Sequence, residues 1–161
     1  MAFTILTDST ANLETKLAQR QDIRILPFSY FIGDAEYQCD DTDSFRDKAY
    51  YDAIRKGTRV TTAQINPQTY MDHMEPILQN GQDVLFIGLS SGISGSFASA
   101  VMARQELLER YPERSICLVD SLGAGLGEGL LALRAAKCRD NGMSLEDRFF
   151  ELYKNCKGEE A

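Results

Sequence analysis

Hydroxyl side chains gather at a few points of this sequence, most of them directly behind an apolar run. Asp8-Ser9-Thr10 follows Phe3–Thr7, Ser90–Ser96 follows Asp83–Leu89, and Asp120-Ser121 follows Ser115–Val119. A further cluster, Thr61-Thr62-Ala63-Gln64, stands just before Asn66-Pro67. Such residues do one of two kinds of chemistry: a serine attacks as a nucleophile, or hydroxyls and peptide amides hold an anion. Gly88-Leu89-Ser90-Ser91-Gly92 has the GxSxG form of a nucleophile elbow, between an expected strand and an expected helix. A serine nucleophile needs a base, usually a histidine that a carboxylate orients. The sequence holds one histidine, His73, and it precedes the serine, between Met71 and Met74. A hydrolase using Ser90 or Ser94 is therefore the second reading, carried by the motif alone.

Ser94-Gly95-Ser96 sits where a strand-to-helix turn becomes a helix. Free N–H groups and the helix dipole make such a turn an anion site. Gly92 and Gly95 let a ligand approach the backbone, and Ser94 adds a donor; capping of the helix alone explains Ser94 equally well. With no Lys or Arg beside either hydroxyl cluster, a single carboxylate suits them better than a polyphosphate. Asp8 reads first as a helix cap and second as a phosphoryl-transfer carboxylate. Gly123, Gly125, Gly127 and Gly129 miss the GxGxxG spacing of a dinucleotide fingerprint. Gly125 and Gly129, one helical turn apart, instead allow close approach to a neighbouring element.

The elements that must position these residues alternate between strand and helix. Phe3–Thr7 reads as a strand, followed by an amphipathic stretch to Arg20. Ile23–Ile32 reads as extended, broken by Pro27, and Gly33-Asp34 turns it back into Glu36–Cys39. Ser44 with Asp47 opens a helix ending at Gly57, with Phe45 on its apolar face, and Val60–Ile65 reads as a loop. Asn66-Pro67 starts a helix whose stripe is Met71, Met74 and Leu78; Pro76 predicts a kink or an early end. Asp83–Leu89 is an apolar run suited to a strand covered on both faces. Phe97, Val101, Leu108 and Tyr111 follow a helical period, Ser115–Val119 is another strand, and Leu126, Leu130 and Leu133 mark a further helix. Ser144 caps a last one, to about Lys157. Strands separated by helices predict one α/β domain with a mainly parallel sheet, helices on both faces and a small antiparallel hairpin. In such sheets ligands sit beyond the carboxyl ends of strands.

Composition narrows the function. The 161 residues carry 17 Lys+Arg against 24 Asp+Glu, a net charge of −7. That argues against nucleic acid and against anionic lipid surfaces. No apolar run reaches about 18 residues, so no stable membrane insertion is expected; the longest candidate, Leu122–Ala136, contains Glu128 and Arg134. MAFTILTDST has no basic stretch and no long apolar segment, which speaks against a secretory leader. Cys39, Cys117, Cys138 and Cys156 form no CxxC pair. Reduced thiols in a cytoplasmic protein are expected, with no metal site.

The segments ILTDSTANL (5–13), ILPFSYFIGDAEY (25–37), TTAQINP (61–67), GLSSGISGSFASA (88–100) and VDSLGAGLGEGLL (119–131) together resemble the DegV family of bacterial fatty-acid-binding proteins. The resemblance implies a carrier, not an enzyme. It would bind a long-chain fatty acid such as palmitate, without a cofactor, and present its carboxylate to an ATP-dependent fatty-acid kinase. It implies that Thr62 and Ser94 hydrogen-bond the carboxylate and that Gly95 with neighbouring amides completes the cradle. Asp8, Ser9, Thr10, Gln64 and Ser121 are expected to stand behind them. Ala63 replaces a usual serine, and Ser96 stands where threonine is commoner. Family members run to about twice this length, so residues 1–161 correspond to the first domain, and the second, which supplies much of the acyl pocket, is expected to be absent.

Overall fold

The computed structural model describes residues 3–39 and 48–145. The proposed cap at Ser44 and Asp47, Phe45, nearly all of the helix expected after Ser144, and Cys156 lie outside the described residues.

Four parallel strands form the central sheet: β1 (Phe3–Asp8), β2 (Ile23–Leu26), β6 (Asp83–Gly88) and β7 (Ile116–Asp120), in the order β2-β1-β6-β7. Every residue of β1 and β6 is buried, as central parallel strands require. Helices cover both faces. Helix α1 (Thr15–Arg20) and helix α5 (Leu126–Asp140) pack over Ile5, Leu85, Ile87 and Val119. Helix α3 (Pro67–Gln79) and helix α4 (Ser96–Arg110) pack over Leu6, Val84, Phe86 and Ile116. The expected stripe on α3 is present: Met71, Met74 and Leu78 are buried, and Asn66 caps the helix through Thr69 N–H at 2.9 Å. The helix runs through Pro76 to Gln79 rather than stopping there. A proline in the last turn removes one hydrogen bond but leaves few turns to disrupt.

A second, antiparallel sheet has the order β4-β3-β5, from β3 (Ser29–Ile32), β4 (Ala35–Gln38) and β5 (Val60–Ala63). The hairpin at Gly33-Asp34 is as expected, with Gly33 at φ 61°. Val60–Ile65, expected to be a loop, is corrected: its first four residues form β5, with Thr62 opposite Tyr30. Val-Thr-Thr is a β-prone run, but its partner lies about thirty residues earlier, and a four-residue strand shows no alternation to reveal the pairing. Helix α2 (Lys48–Arg55) precedes it. Among the described residues no helix is long and apolar enough to cross a membrane.

Candidate functional site

The register of the parallel sheet brings the carboxyl ends of its strands level. Thr7 pairs with Ile87, and Gly88 with Asp120. Strand order reverses between β1 and β6, so the chain leaves these two strands in opposite directions and opens a crevice. A cavity of about 480 Å³ lies there. Ser9, Thr10 and Asn12 line it from behind β1, Leu89, Ile93 and Ser94 from behind β6, and Ala124 and Gly125 from the turn before α5. The second sheet closes it with Ser29, Tyr30, Thr62 and Ala63; Phe28, Cys39 and Gln64 complete the wall. β5 thus carries Thr62 to the cavity that Ser94 lines, and among the described residues no lining side chain is charged.

Asp8 and Ser121 do not line the cavity. Asp8 Oδ1 accepts from Thr10 N–H at 2.9 Å and from the Thr10 hydroxyl at 2.5 Å, and Oδ2 accepts from Leu89 N–H at 3.0 Å. It therefore caps the short helix Ser9–Ala11 and ties the β1 and β6 turns together. Ser9 Oγ accepts from Phe28 N–H at 3.0 Å. Ser121 Oγ accepts from Gly123 N–H and donates to Gly123 O, both at 3.2 Å, and so holds its own turn. Gly95 is the N-cap of α4, and a Cβ there would run into Gln64 Oε1, so the glycine lets the Gln64 side chain lie against the backbone. Ser94 Oγ accepts from Ser96 N–H at 3.2 Å and lies 2.9 Å from Ser96 Oγ. In turn, Ser96 Oγ accepts from Ile65 N–H at 3.1 Å, linking the α4 turn to the segment after β5.

Glu128 on α5 was not among the expected site residues. It is fully buried, with Oε1 accepting from the Thr7 hydroxyl and Oε2 from the direction of Thr10 Oγ1, each at 2.9 Å. Thr10 has one hydroxyl hydrogen and two carboxyl groups within reach of it, an arrangement that favours a proton on the acid pair. Burial, then the Asp8 charge, pushes Glu128 up to about 8, and burial also raises Asp8 against its hydrogen bonds. Burial and both acids raise Tyr70, whose hydroxyl is buried without a hydrogen-bond partner among the described residues. In sequence Glu128 shows only as an interruption of an apolar run.

Among the described residues the elbow at Ser90 has no base. Ser90 Oγ accepts from Gly92 N–H at 3.2 Å, and the partner of Ser94 Oγ is Ser96. His73 sits on α3 with Nδ1 2.8 Å from the Thr69 carbonyl. Ser91, not Ser90, meets a carboxylate: its hydroxyl donates to Asp120 at 2.5 Å, which pins the β6 turn to the β7 turn. Among the described residues no cluster of His, Cys, Asp or Glu could hold a metal.

A family model described as an uncharacterised protein of the DegV family matches residues 2–160. A DegV domain-containing protein of Clostridium perfringens is 35% identical over 154 residues, covering 95% of this chain and 53% of the relative. Among solved structures, a DegV family protein from Thermus thermophilus, described by its fatty acid binding, matches with TM-score 0.82 and 30% identity over 98% of this chain and 54% of its own. A stearic-acid-binding protein from Eubacterium ventriosum matches with TM-score 0.83 and 26% identity over 93% of this chain and 52% of its own. The chain spans about half the length of the curated relatives it matches.

Proposed function

The chain belongs to the DegV family, and on that premise we propose that it binds a long-chain fatty acid by its carboxylate and performs no chemistry on it. One observation carries the reading: Thr62 from β5 and Ser94 from the turn before α4 line one cavity, uncharged among the described residues, whose walls include Phe28, Tyr30, Leu89 and Ile93. Hydroxyls and apolar walls in one cavity suit a ligand with an anionic head and an apolar tail. Thr62, Ser94 and the Gln64 amide supply donors, and the amides at the start of α4 add a favourable dipole. The raised Glu128 also helps. A proton on the acid pair keeps two full negative charges from lying behind the floor of the cavity.

The division of labour follows from magnitudes. A buried methylene contributes about 0.8 kcal/mol. A hydrogen bond to a charged group contributes about 1.5–3 kcal/mol. The tail supplies affinity, and the hydroxyls orient the head. Held in this way, the carboxylate is ready for transfer of a phosphoryl group by an ATP-dependent kinase partner, the role we assign to the larger protein. Residues 1–161 act as its head-group domain.

Organic extraction of the purified chain followed by mass spectrometry tests the reading. Fatty acid in the extract, with no labelling by a fluorophosphonate probe, is expected; a labelled Ser90 or Ser94 would mean a hydrolase. The pair Thr62→Ala and Ser94→Ala should lower the retained fatty acid about tenfold or more while leaving the fold intact. Unchanged lipid content in the double variant would remove both residues from the site.

A further inference from the structure

Ser94 lines the cavity, and its hydroxyl can donate once and accept twice. What it offers a ligand depends on where its hydrogen points, and the neighbouring residues restrict that. Ser96 is 1% exposed, and its Oγ accepts from Ile65 N–H at 3.1 Å. The two serine oxygens are 2.9 Å apart, so one hydroxyl donates to the other. If Ser94 donated, the Ser96 hydrogen would be buried with no acceptor among the described residues, which is unfavourable. If Ser96 donates, every group is satisfied. Ser94 Oγ then accepts twice, from Ser96 N–H and from the Ser96 hydroxyl, and its own hydrogen is left for the cavity.

We infer that Ser96 is a positioning residue that fixes Ser94 as an obligate donor, so that the cavity selects acceptor-only head groups such as an ionised carboxylate and rejects donor-only ones such as an alkylammonium. The inference rests on the fatty-acid reading and deepens it. Ser96 touches no ligand: it lies behind Ser94, and through Ile65 N–H it also ties the α4 turn to the segment following Thr62. One buried side chain thus holds the Ser94 hydroxyl and the segment that follows β5.

The test compares tetradecanoate with tetradecylammonium on the full chain, each below its aggregation concentration, by displacement of a fluorescent acyl probe. Wild type should prefer the carboxylate. In Ser96→Ala, Ser94 regains a free lone pair and can accept from the ammonium, so the preference should shrink about tenfold or more. Ser96→Thr, which keeps the hydroxyl, should restore the wild-type ratio. Equal loss of affinity for both ligands would reduce Ser96 to a structural residue and overturn the inference. A wild-type chain that binds neither ligand overturns the fatty-acid reading itself, a different result. Circular dichroism checks folding. Should Ser96→Ala not fold, Ser96→Cys keeps the volume with a weaker donor and is read by the same ratio, an unchanged preference again counting against the inference.

Discussion

A single buried carboxyl gives the clearest prediction at the scale of one residue. Glu128 ionises near 4.5 when free and near 8 in the folded protein, because burial and then the Asp8 charge disfavour its anion. Below 4.5 both states hold the proton, and the contribution of the site to stability is present in full. Between these values the folded chain keeps a proton that the unfolded chain has released, so stability falls as pH rises. Above 8 the contribution is gone. Gln at position 128 mimics the protonated acid: its carbonyl can accept from Thr7, and its amide can donate to Thr10, which remains free to donate to Asp8. Each pKa unit corresponds to about 1.4 kcal/mol, and each kcal/mol moves the melting temperature of a chain this size by about 2–4 °C. Glu128→Gln should therefore melt close to wild type at pH 5 and at least about 5 °C above it at pH 9. Parallel melting curves at both pH values would show that Glu128 is ionised throughout. Residue type alone made the hydroxyl clusters legible, since three strands end in them and the sheet brings those ends together. It hid Glu128, because a charged residue in an apolar run looks like a solvent-facing interruption until its partners Thr7, Thr10 and Asp8 are known.

The same contrast holds for whole elements. Helix α3 was readable because its buried face carries bulky residues at helical spacing, Met71, Met74 and Leu78. Helix α5 was located by Leu126, Leu130 and Leu133, yet Leu126 and Leu130 are 72% and 66% exposed. Its buried face is Glu128 with the small residues Gly129, Ala132, Ala135 and Ala136, which let the helix lie close to the turn after β1. Gly129 makes that approach, since a Cβ there would stand 2.6 Å from the Ala11 carbonyl oxygen and 2.9 Å from Leu13 Cδ2. Gly125, expected to do the same, instead precedes the helix at φ 59°, a left-handed conformation that turns the chain into α5. Gly127 is the internal control: it lies in the same helix, and a Cβ there meets nothing within 4 Å. Replacing a helical glycine by alanine gains about 0.5–1 kcal/mol from backbone entropy, whereas forcing an atom into a packed contact costs about 1–3 kcal/mol. In urea unfolding, Gly127→Ala should raise the midpoint and Gly129→Ala should lower it, because the Ala11 backbone cannot rotate away as a side chain can. Stabilisation by both would mean that α5 is free to shift outward from β1.

For the molecule as a whole, the question is how much of a ligand one cavity can cover. Its volume of about 480 Å³ falls toward the lower part of the range of about 300–1,000 Å³ usual for small-molecule sites. Beyond the cavity-lining residues Ala124 and Gly125 the chain presents exposed leucines, Leu122, Leu126 and Leu130, while Ile93 on the cavity wall is itself 67% exposed. Affinity of the chain for straight fatty acids should therefore rise with length in two regimes. While each added methylene enters the cavity, Kd should fall about fourfold, the factor that about 0.8 kcal/mol implies. Once the cavity is full, the tail runs out over open surface and the gain per methylene should drop well below that. A calorimetric series from octanoate to stearate locates the break, and palmitate should lie on the flat side with a Kd far weaker than nanomolar. Leu126→Ser and Leu130→Ser should leave the short acids unaffected, because neither side chain lines the cavity. A steep, unbroken climb to stearate, or nanomolar palmitate binding by a monomer, would mean that these residues enclose the whole acyl chain. If Leu126→Ser then flattened the long end alone, the α5 leucines would be the surface that holds the tail, and the head-group cavity and the tail surface would be separable parts of one site.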